Sequence, residues 1–361
     1  MSRFLPSLRR FLPTASASTI AGSAPSASRR QFLCACGCGT LAVGLAGFGL
    51  LGAATRAEAA AGGDLIRVGH MPAGCVSHLL LAKARGLFKQ AGLHVELTQF
   101  NGPSEALQAL EADNLELIHS PWTMSVAAHA EGARHLRVIG GSGQSGIELV
   151  ARNGSVSSVD ELIAEAGKGL RIGTLRLDTL ELVGYGTLSK NGKSYNDYDM
   201  TFFNSMVGMG EAIANARVDV CTLAQPYAES VVRETGAVYL TDSNSVWGPE
   251  AADCVVTTKE TTSNRRAEAL AAYLKVLQQS ANSFNQDLEA ALDDLQPIYG
   301  APREILRVAL KRQFPNPVIS AAGIAGLHQG VRYLIELGYL REDNVDALLD
   351  LRHQPVKETV L

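Results

Sequence analysis

The chain lacks a strong charge of either sign and the short motifs that mark many catalytic sites. Its net charge is −4 at pH 7, and no basic run interleaved with aromatic residues occurs, so we expect no nucleic-acid partner. After residue 59 the chain has no G-x-S-x-G, H-E-x-x-H or C-x-x-C pattern, which argues against the hydrolases, metalloproteases and thiol oxidoreductases that carry them. We therefore expect a protein that is not an enzyme and that needs no cofactor and no metal.

Acidic residues are also absent from residues 1–27, which are rich in Arg, Ser, Ala and Pro. An S-R-R-x-F-L pattern follows at residues 28–33, then an uncharged stretch up to Thr55 and a small-x-small sequence at residues 57–59. Together they predict a twin-arginine signal peptide over residues 1–59, cleaved near Ala59, and a soluble periplasmic protein. A retained anchor is the alternative, because about 20 uncharged residues can span a bilayer.

Cysteines are few once this segment is set aside. Of the six in the chain, only Cys75, Cys221 and Cys254 lie beyond residue 59. An odd number in an oxidising compartment permits at most one disulfide bond. Each of the three lies in an apolar run, so we expect buried free thiols, with a single bridge as the alternative.

What the chain does contain is a long internal repeat. The segment Ile-Arg-Val-Gly-His at residues 66–70 returns as Leu-Arg-Ile-Gly-Thr at residues 170–174, and residues 117–122 return, slightly out of register, as residues 221–227. The spacing of the two copies is longer than a solenoid unit, which has roughly 20–50 residues. Each copy is therefore interpreted as a whole lobe. Strands alternate with helices in both copies, with helices expected at residues 78–91 and 104–112, capped by Ser77 and Ser104, and at residues 179–190. This alternation predicts an α/β fold of two Rossmann-like lobes with mostly parallel sheets.

Two segments cross between the copies, at residues 140–153 and around residues 253–258. The first lobe should therefore comprise residues 60–146 and 253–361, and the second lobe, residues 147–252, should be inserted into it. Paired crossings can form a hinge. Residues 141–146 match G-x-G-x-x-G, but a strand-like segment follows them instead of a helix, so we expect a flexible hinge there and no dinucleotide site.

The repeat also predicts where a ligand binds. Ligands of parallel α/β sheets lie beyond the carboxyl ends of the strands, where helix N-termini point. Four loops fall there, at residues 71–77, 120–123, 174–179 and 225–227. Their backbone N–H groups suit an anionic head group.

Three side chains in these loops have specific expected roles. Trp122 and Tyr227 would hold the ligand between two aromatic faces, and Arg176 would bind a carboxylate, sulfonate or phosphonate. The alternative is that the hydroxyls only cap helices and the aromatic rings only pack. The predicted ligand-binding residues are Pro72, Cys75, Ser77, His78, Ser120, Trp122, Thr123, Thr174, Arg176, Asp178, Thr179, Gln225 and Tyr227.

Three short segments carry a family resemblance: Gly-Leu-Phe at 86–88 before Ala-Gly-Leu at 91–93, Gly-Pro-Ser-Glu-Ala-Leu at 102–107, and Gln-Pro-Tyr at 225–227. With them the chain resembles the periplasmic binding proteins for sulfonates, taurine, nitrate and thiamine precursors over residues 64–345. The resemblance implies a type II periplasmic-binding-protein fold and delivery of a solute to an ABC permease in the inner membrane. The turn at residues 174–179 is bulkier and more charged than the family's Gly-Ser/Thr-rich turn, and Cys75 stands where small polar residues are commoner.

We therefore expect an exported, monomeric solute-binding component of an ABC importer. Its two lobes would close on a small anionic organic solute that is sulfonate-like, a carboxylate or thiamine-precursor-like. An enzyme on the same fold, of the thiamine-precursor or menaquinone type, is one alternative, and a ligand sensor for a membrane partner is another. His70, Cys75 and His78 also have metal-ligand chemistry at short spacing. His119 should lie nearby across the strand ends, but nothing in the sequence fixes it or another residue as a fourth ligand, so we expect no metal site.

Overall fold

A computed structural model describes residues 65–355 of the chain. The predicted signal peptide, its cleavage site and the alternative anchor all fall before residue 65 and so lie outside the described residues. Within residues 65–355, no helix is both long and apolar enough to cross a membrane.

The described chain alternates strands and helices, as the repeat predicts. The strands are β1 Ile66–His70, β2 Val95–Gln99, β3 Leu117–Pro121, β4 Leu136–Ser145, β5 Ile147–Ala151, β6 Arg171–Leu175, β7 Asp199–Phe203, β8 Val220–Ala224, β9 Val238–Asp242, β10 Ala252–Lys259 and β11 Gln313–Pro315. The helices are α1 Ser77–Ala84, α2 Leu87–Gln90, α3 Pro103–Glu111, α4 Trp122–Ala130, α5 Val159–Ala164, α6 Thr179–Lys190, α7 Met206–Ala214, α8 Tyr227–Thr235, α9 Asn244–Trp247, α10 Glu260–Arg265, α11 Ala267–Gln286, α12 Leu288–Tyr299, α13 Arg303–Lys311, α14 Ala321–Glu336 and α15 Val345–Leu348.

The strands form two sheets with the same internal order. The first sheet runs β11-β4-β10-β3-β1-β2 and the second runs β7-β6-β8-β5-β9. In each, the first strand of the repeat lies between the second and the third, as β1 lies between β2 and β3 and β6 between β7 and β8. The sequence repeat is therefore a duplication of topology.

One strand in the middle of each sheet runs against its neighbours. β10 is antiparallel to β3 and to β4, and β5 is antiparallel to β8 and to β9. These two strands come from the segments that were predicted to cross between the copies. β5, β10 and the short strand β11 are thus the antiparallel strands of the two sheets. All other strands within a sheet run in the same direction, which confirms the α/β fold with mostly parallel sheets. The division into two lobes that move about a hinge stays a prediction.

The glycine-rich run at residues 141–146 is more ordered than predicted, because residues 136–145 form β4, which pairs with β10 and β11. Two glycines of the run lie so close to neighbouring segments that a side chain would collide with them. A Cβ at Gly143 would lie 2.6 Å from the Cα of Cys75, and one at Gly146 would lie 2.3 Å from Oε1 of Gln313. Other chain segments therefore pack closely against the run, and its role as a hinge between the two lobes stays a prediction.

Helix capping differs from expectation at two serines. The Ser77 hydroxyl donates to the carbonyl of Gly74 at 2.7 Å instead of capping α1, and α3 is capped by Gly102 and begins at Pro103, so Ser104 is not its cap. Pro is favoured at the first helical position because its missing N–H has no partner there. The predicted helix 78–91 is also divided into α1 and α2 by Gly86, whose φ is +67°.

Candidate functional site

Three of the four predicted loops, at residues 71–77, 120–123 and 174–179, contribute to the lining of one cleft between the two sheets. Helices α1, α4, α6 and α8 begin just beyond the carboxyl ends of β1, β3, β6 and β8, and the fourth loop, at residues 225–227, adjoins the cleft through Ala224 at the end of β8. The space between its lining residues, counted together with the open solvent at its mouth, is about 580 Å³. The cleft is therefore the candidate binding site.

The cleft lining is largely apolar, with a few acids, amides and thiols. Its residues are Met71, Pro72, Ala73, Cys75, Asn101, Pro103, Pro121, Ile147, Leu175, Asp178, Thr179, Leu180, Met206, Ala224, Asp253, Cys254 and Gln313. Among these described residues the ionisable side chains are two carboxyls and two thiols, and there is no Arg, Lys or His. An anionic solute would thus meet no compensating side-chain charge.

Asp178 lies at the start of α6 on the second sheet's side of the cleft. Its carboxylate accepts hydrogen bonds from the backbone N–H of Leu180 at 3.0 Å and from the hydroxyl of Thr179 at 3.3 Å. Burial raises the pKa of this carboxyl to about 6, because the charged form loses solvation. Because Asp178 caps this helix N-terminus itself, the terminus is not free to bind an anionic head group.

Asp253, on β10, supplies the second carboxyl from the first sheet's side. Its side chain is 2% exposed, and neither carboxyl oxygen has a hydrogen-bond partner among the described residues. Burial raises its pKa well above the usual range, and the nearby thiol of Cys75 adds to the rise. The hydroxyl of Ser243, which also has no partner in hydrogen-bond geometry in the described part of the chain, lies close enough to lower the pKa in part. A buried carboxyl without a partner is costly unless a ligand supplies one.

The loops around the cleft also contact each other across it. The backbone N–H of Gly74 donates to the carbonyl of Gln225 at 2.7 Å, and the hydroxyl of Thr123 donates to the carbonyl of Leu177 at 3.0 Å. Both bonds join a loop of the first sheet to a loop of the second. These two hydrogen bonds therefore connect the two sheets beside the cleft.

The cleft contains four of the predicted ligand-binding residues, Pro72, Cys75, Asp178 and Thr179. Three other predicted residues are instead buried and hydrogen-bonded within the protein. Ser77 bonds to the Tyr299 hydroxyl at 2.9 Å, and Thr174 bonds to the Thr222 hydroxyl at 2.9 Å. Gln225 donates to Glu148 at 3.3 Å and to Tyr239 at 3.2 Å. These three side chains hold the cleft walls in place and do not line them.

The two aromatic side chains expected to grip the ligand lie in the core. Trp122 is fully buried, and its ring meets that of Trp247 edge-on at 6.5 Å between centroids. A Cβ at Gly330 of α14 would lie 2.5 Å from the Trp122 ring. Tyr227 is likewise buried, and neither ring lines the cleft. Neither ring is thus placed to clamp a ligand in this arrangement, and the expected aromatic clamp stays a prediction.

Arg176 also lies outside the cleft lining. Its side chain is exposed, and the guanidinium carbon is 4.0 Å from the centroid of the Phe202 ring, a cation–π geometry. In this arrangement the guanidinium lies over Phe202 and outside the cleft lining, and its contact with a solute carboxylate or sulfonate stays a prediction.

The buried histidines gather behind the cleft. His119 bonds to the hydroxyls of Ser142 at 2.7 Å and Tyr273 at 2.8 Å, and its ring lies 6.1 Å from that of His78. Both ring nitrogens of His78, and the hydroxyl of Ser120, lack a partner among the described residues. Burial lowers the pKa of His78 to about 3 and so keeps it neutral. No described group of His, Cys, Asp and Glu could hold a metal ion.

Sequence reasoning did not select Asp253, Cys254 or Gln313 as lining residues. Asp253 is an acid inside the apolar strand β10, and that mismatch was a usable signal. Gln313 begins β11, a strand of three residues that no pattern predicted because it is short and ends in Pro315, with Pro317 soon after it. Its amide donates to the carbonyl of Gln144 at 2.8 Å.

Comparisons with known proteins agree with this architecture. Residues 76–291, more than half of the chain, match the family described as NMT1/THI5 like. No curated protein matches the chain. Among solved structures, a ligand-binding component of an ABC-type import system from Staphylococcus aureus with zinc bound is similar, with a TM-score of 0.71 at 14% identity. The likeness covers 81% of this chain and 98% of that one.

Two further structures show the same fold. The alkanesulfonate-binding protein from Xanthomonas axonopodis pv. citri, bound to MOPS, has a TM-score of 0.68 at 18% identity, covering 80% of this chain and 99% of that one. The periplasmic nitrate-binding protein from Synechocystis PCC 6803 has a TM-score of 0.64 at 13% identity, covering 80% and 86%. The fold is thus that of the periplasmic binding proteins, and by its matched residues the chain belongs to the NMT1/THI5-like family.

Proposed function

We propose that the protein is the solute-binding component of an ABC importer and that its solute is a small organic cation or a ring bearing N–H donors. The observation that carries the proposal is the pair of buried carboxyls, Asp178 and Asp253, in a cleft whose described lining has no basic side chain. A solute with donor nitrogens would satisfy both oxygens of Asp253, which have no partner among the described residues.

The charge of the solute is where this proposal departs from the sequence-based expectation. That expectation favoured an anion because helix N-termini point at the site and because Arg176 belongs to one of the four loops that were expected to form it. The N-terminus of α6 is capped by Asp178, and Arg176 is outside the lining. Of the solute classes expected from the sequence, an amine-bearing, thiamine-precursor-like ring remains compatible with two carboxyls, whereas a sulfonate or carboxylate would meet the ionised form of Asp178 and no basic side chain in the described lining.

Delivery to a permease follows from the fold and stays part of the proposal. The structurally similar proteins include a ligand-binding component of an import system and binding proteins for alkanesulfonate and nitrate. We propose that solute contacts to Asp178 on one side and Asp253 on the other favour closure of the cleft, since a ligand that bridges two bodies shifts their equilibrium towards the closed state. Binding and release to a membrane partner, without catalysis, then account for the site.

The test is a thermal-unfolding panel on the purified protein. Aminopyrimidines, amidines and small amines are compared with sulfonates, carboxylates and nitrate, and benzamidine with benzenesulfonate serves as a pair of like size and opposite charge. At about 100-fold excess over Kd, a compound that binds only the folded state should raise Tm by roughly 5 °C. We expect that rise within the nitrogen-donor group. Stabilisation by sulfonates or carboxylates alone would overturn the proposed solute class, and stabilisation by none of the compounds would overturn solute binding at this cleft.

A further inference from the structure

Two cysteines face each other in the wall of the cleft. Cys75 lies in the 3₁₀ turn Gly74–Val76 that follows β1, and Cys254 lies on β10. Their Sγ atoms are 2.6 Å apart, closer than two unbonded sulfur atoms ordinarily approach. A disulfide bond has an S–S length of about 2.05 Å, so a small displacement would bring the pair to bonding distance.

A glycine next to both cysteines allows their close contact. Gly143 of β4 pairs with Cys254 in the β10 ladder, and a Cβ at Gly143 would lie 2.7 Å from the Cβ of Cys75. The absence of that Cβ lets the Cys75 turn lie directly against β4 beside β10. The proximity of the two cysteines therefore follows from the packing of three backbone segments.

The third described cysteine differs in position and surroundings. Cys221 is on β8 and is fully buried, and it does not contribute to the cleft lining, whereas Cys75 and Cys254 both do. Burial raises the pKa of the Cys221 thiol. A small reagent that enters the cleft would thus reach Cys75 and Cys254 and not Cys221, which serves as an internal control.

We propose that Cys75 and Cys254 are a redox-active pair that closes to a reversible disulfide bond inside the cleft. The oxidant is a small disulfide. One thiolate attacks it and releases one thiol, and the second cysteine then displaces the other thiol, so that two protein thiols and one external disulfide yield one protein disulfide and two external thiols. This modification goes beyond solute binding and can be tested without any solute.

The chemical environment makes the exchange slow. The contact with Cys75 and burial raise the pKa of the Cys254 thiol well above its usual range, and the carboxyls of Asp253 and Asp178 add to the rise. Because the thiolate is the attacking species, little of it is present near neutral pH. Incubation with the oxidant should accordingly be long.

The experiment treats the full chain with 2-hydroxyethyl disulfide, blocks the remaining thiols under denaturing conditions and maps the peptides by mass spectrometry. We expect the peptides of Cys75 and Cys254 to be joined with the loss of two hydrogens, the Cys221 peptide to carry the blocking group, and dithiothreitol to restore the two thiols. Cys221→Ser should form the same bridge. In Cys75→Ser and Cys254→Ser the remaining cysteine should end as a free thiol or as a mixed disulfide with the reagent.

Two results would overturn the proposal. In one, the wild-type protein keeps free thiols at both positions after prolonged oxidation. In the other, Cys75 or Cys254 of the wild-type protein retains a stable mixed disulfide with the reagent, which shows that the second cysteine, although present, cannot complete the exchange. Because the readout is the peptide mass, a failure of the proposed solute class leaves this outcome unchanged.

Discussion

Asp253→Asn should lower the affinity for the cationic solute by at least about 30-fold and leave the solute-free protein folded. Removing one partner of a buried, charge-assisted hydrogen bond costs about 2–5 kcal/mol in binding, and about 1.4 kcal/mol corresponds to a tenfold change in Kd. The ligand for the measurement is the amidine, amine or aminopyrimidine that stabilises the wild-type protein most, and the method is isothermal titration calorimetry.

Stability should behave differently from affinity in this variant. Asn has nearly the shape of Asp, and the carboxyl that it replaces has no partner among the described residues, so the free energy of unfolding should change by less than about 1 kcal/mol. Asp160→Asn, an exposed acid in the first turn of α5, is the matched control and should keep wild-type affinity. Wild-type affinity in Asp253→Asn would remove Asp253 from the binding site.

Arg312→Met should cost about 3–5 kcal/mol in free energy of unfolding, because it leaves a buried carboxylate without its counter-charge. The guanidinium of Arg312 forms two bonds to Glu148, at 2.5 Å and 2.8 Å, and Glu148 is 1% exposed. The pair joins the end of α13 to β5, next to the lining residues Gln313 and Ile147. Urea denaturation followed by circular dichroism measures the loss.

An arginine within α13 provides the control. Arg307 also bonds to a carboxylate, but its partner Glu289 is 52% exposed, so Arg307→Met should cost no more than about 1 kcal/mol. Adding Glu148→Gln to Arg312→Met should recover part of the loss, since the unpaired charge is then removed. Equal losses for the two arginine variants would show that the buried pair has no special role.

The order of strands and helices could be predicted from the sequence because the internal repeat contains it twice. Both copies place a strand, a loop and a helix at matching positions, and a helix such as α6 has its own local signals. Asp178 caps that helix through the backbone N–H of Leu180, and the predicted bounds, residues 179–190, are those observed. Such signals act over a few residues, so they can be seen without knowing the tertiary structure.

The site was harder to predict because its lining depends on which way each side chain points. Trp122 is at the expected helix start but faces α14, where Gly330 leaves room for its ring. Arg176 is in the expected loop but turns towards Phe202. Asp253 reaches the cleft only because β10 pairs antiparallel with β3 and β4. Each outcome is set by long-range packing, which the loop sequences do not encode.

The pH dependence of solute affinity tests the central claim, that two buried carboxyls receive a cationic or donor nitrogen. The pKa of Asp178 is raised to about 6 and that of Asp253 is raised well above its usual range, so both are partly or fully protonated in the empty cleft at mildly acidic pH. A cation binds the carboxylate form and releases these protons, so its affinity should rise with pH. With an amidine, whose own charge is constant, titration of Asp178 alone should strengthen binding about tenfold between pH 5 and pH 7. Affinity that falls over the same range would show that the cleft takes an anion and would contradict the claim.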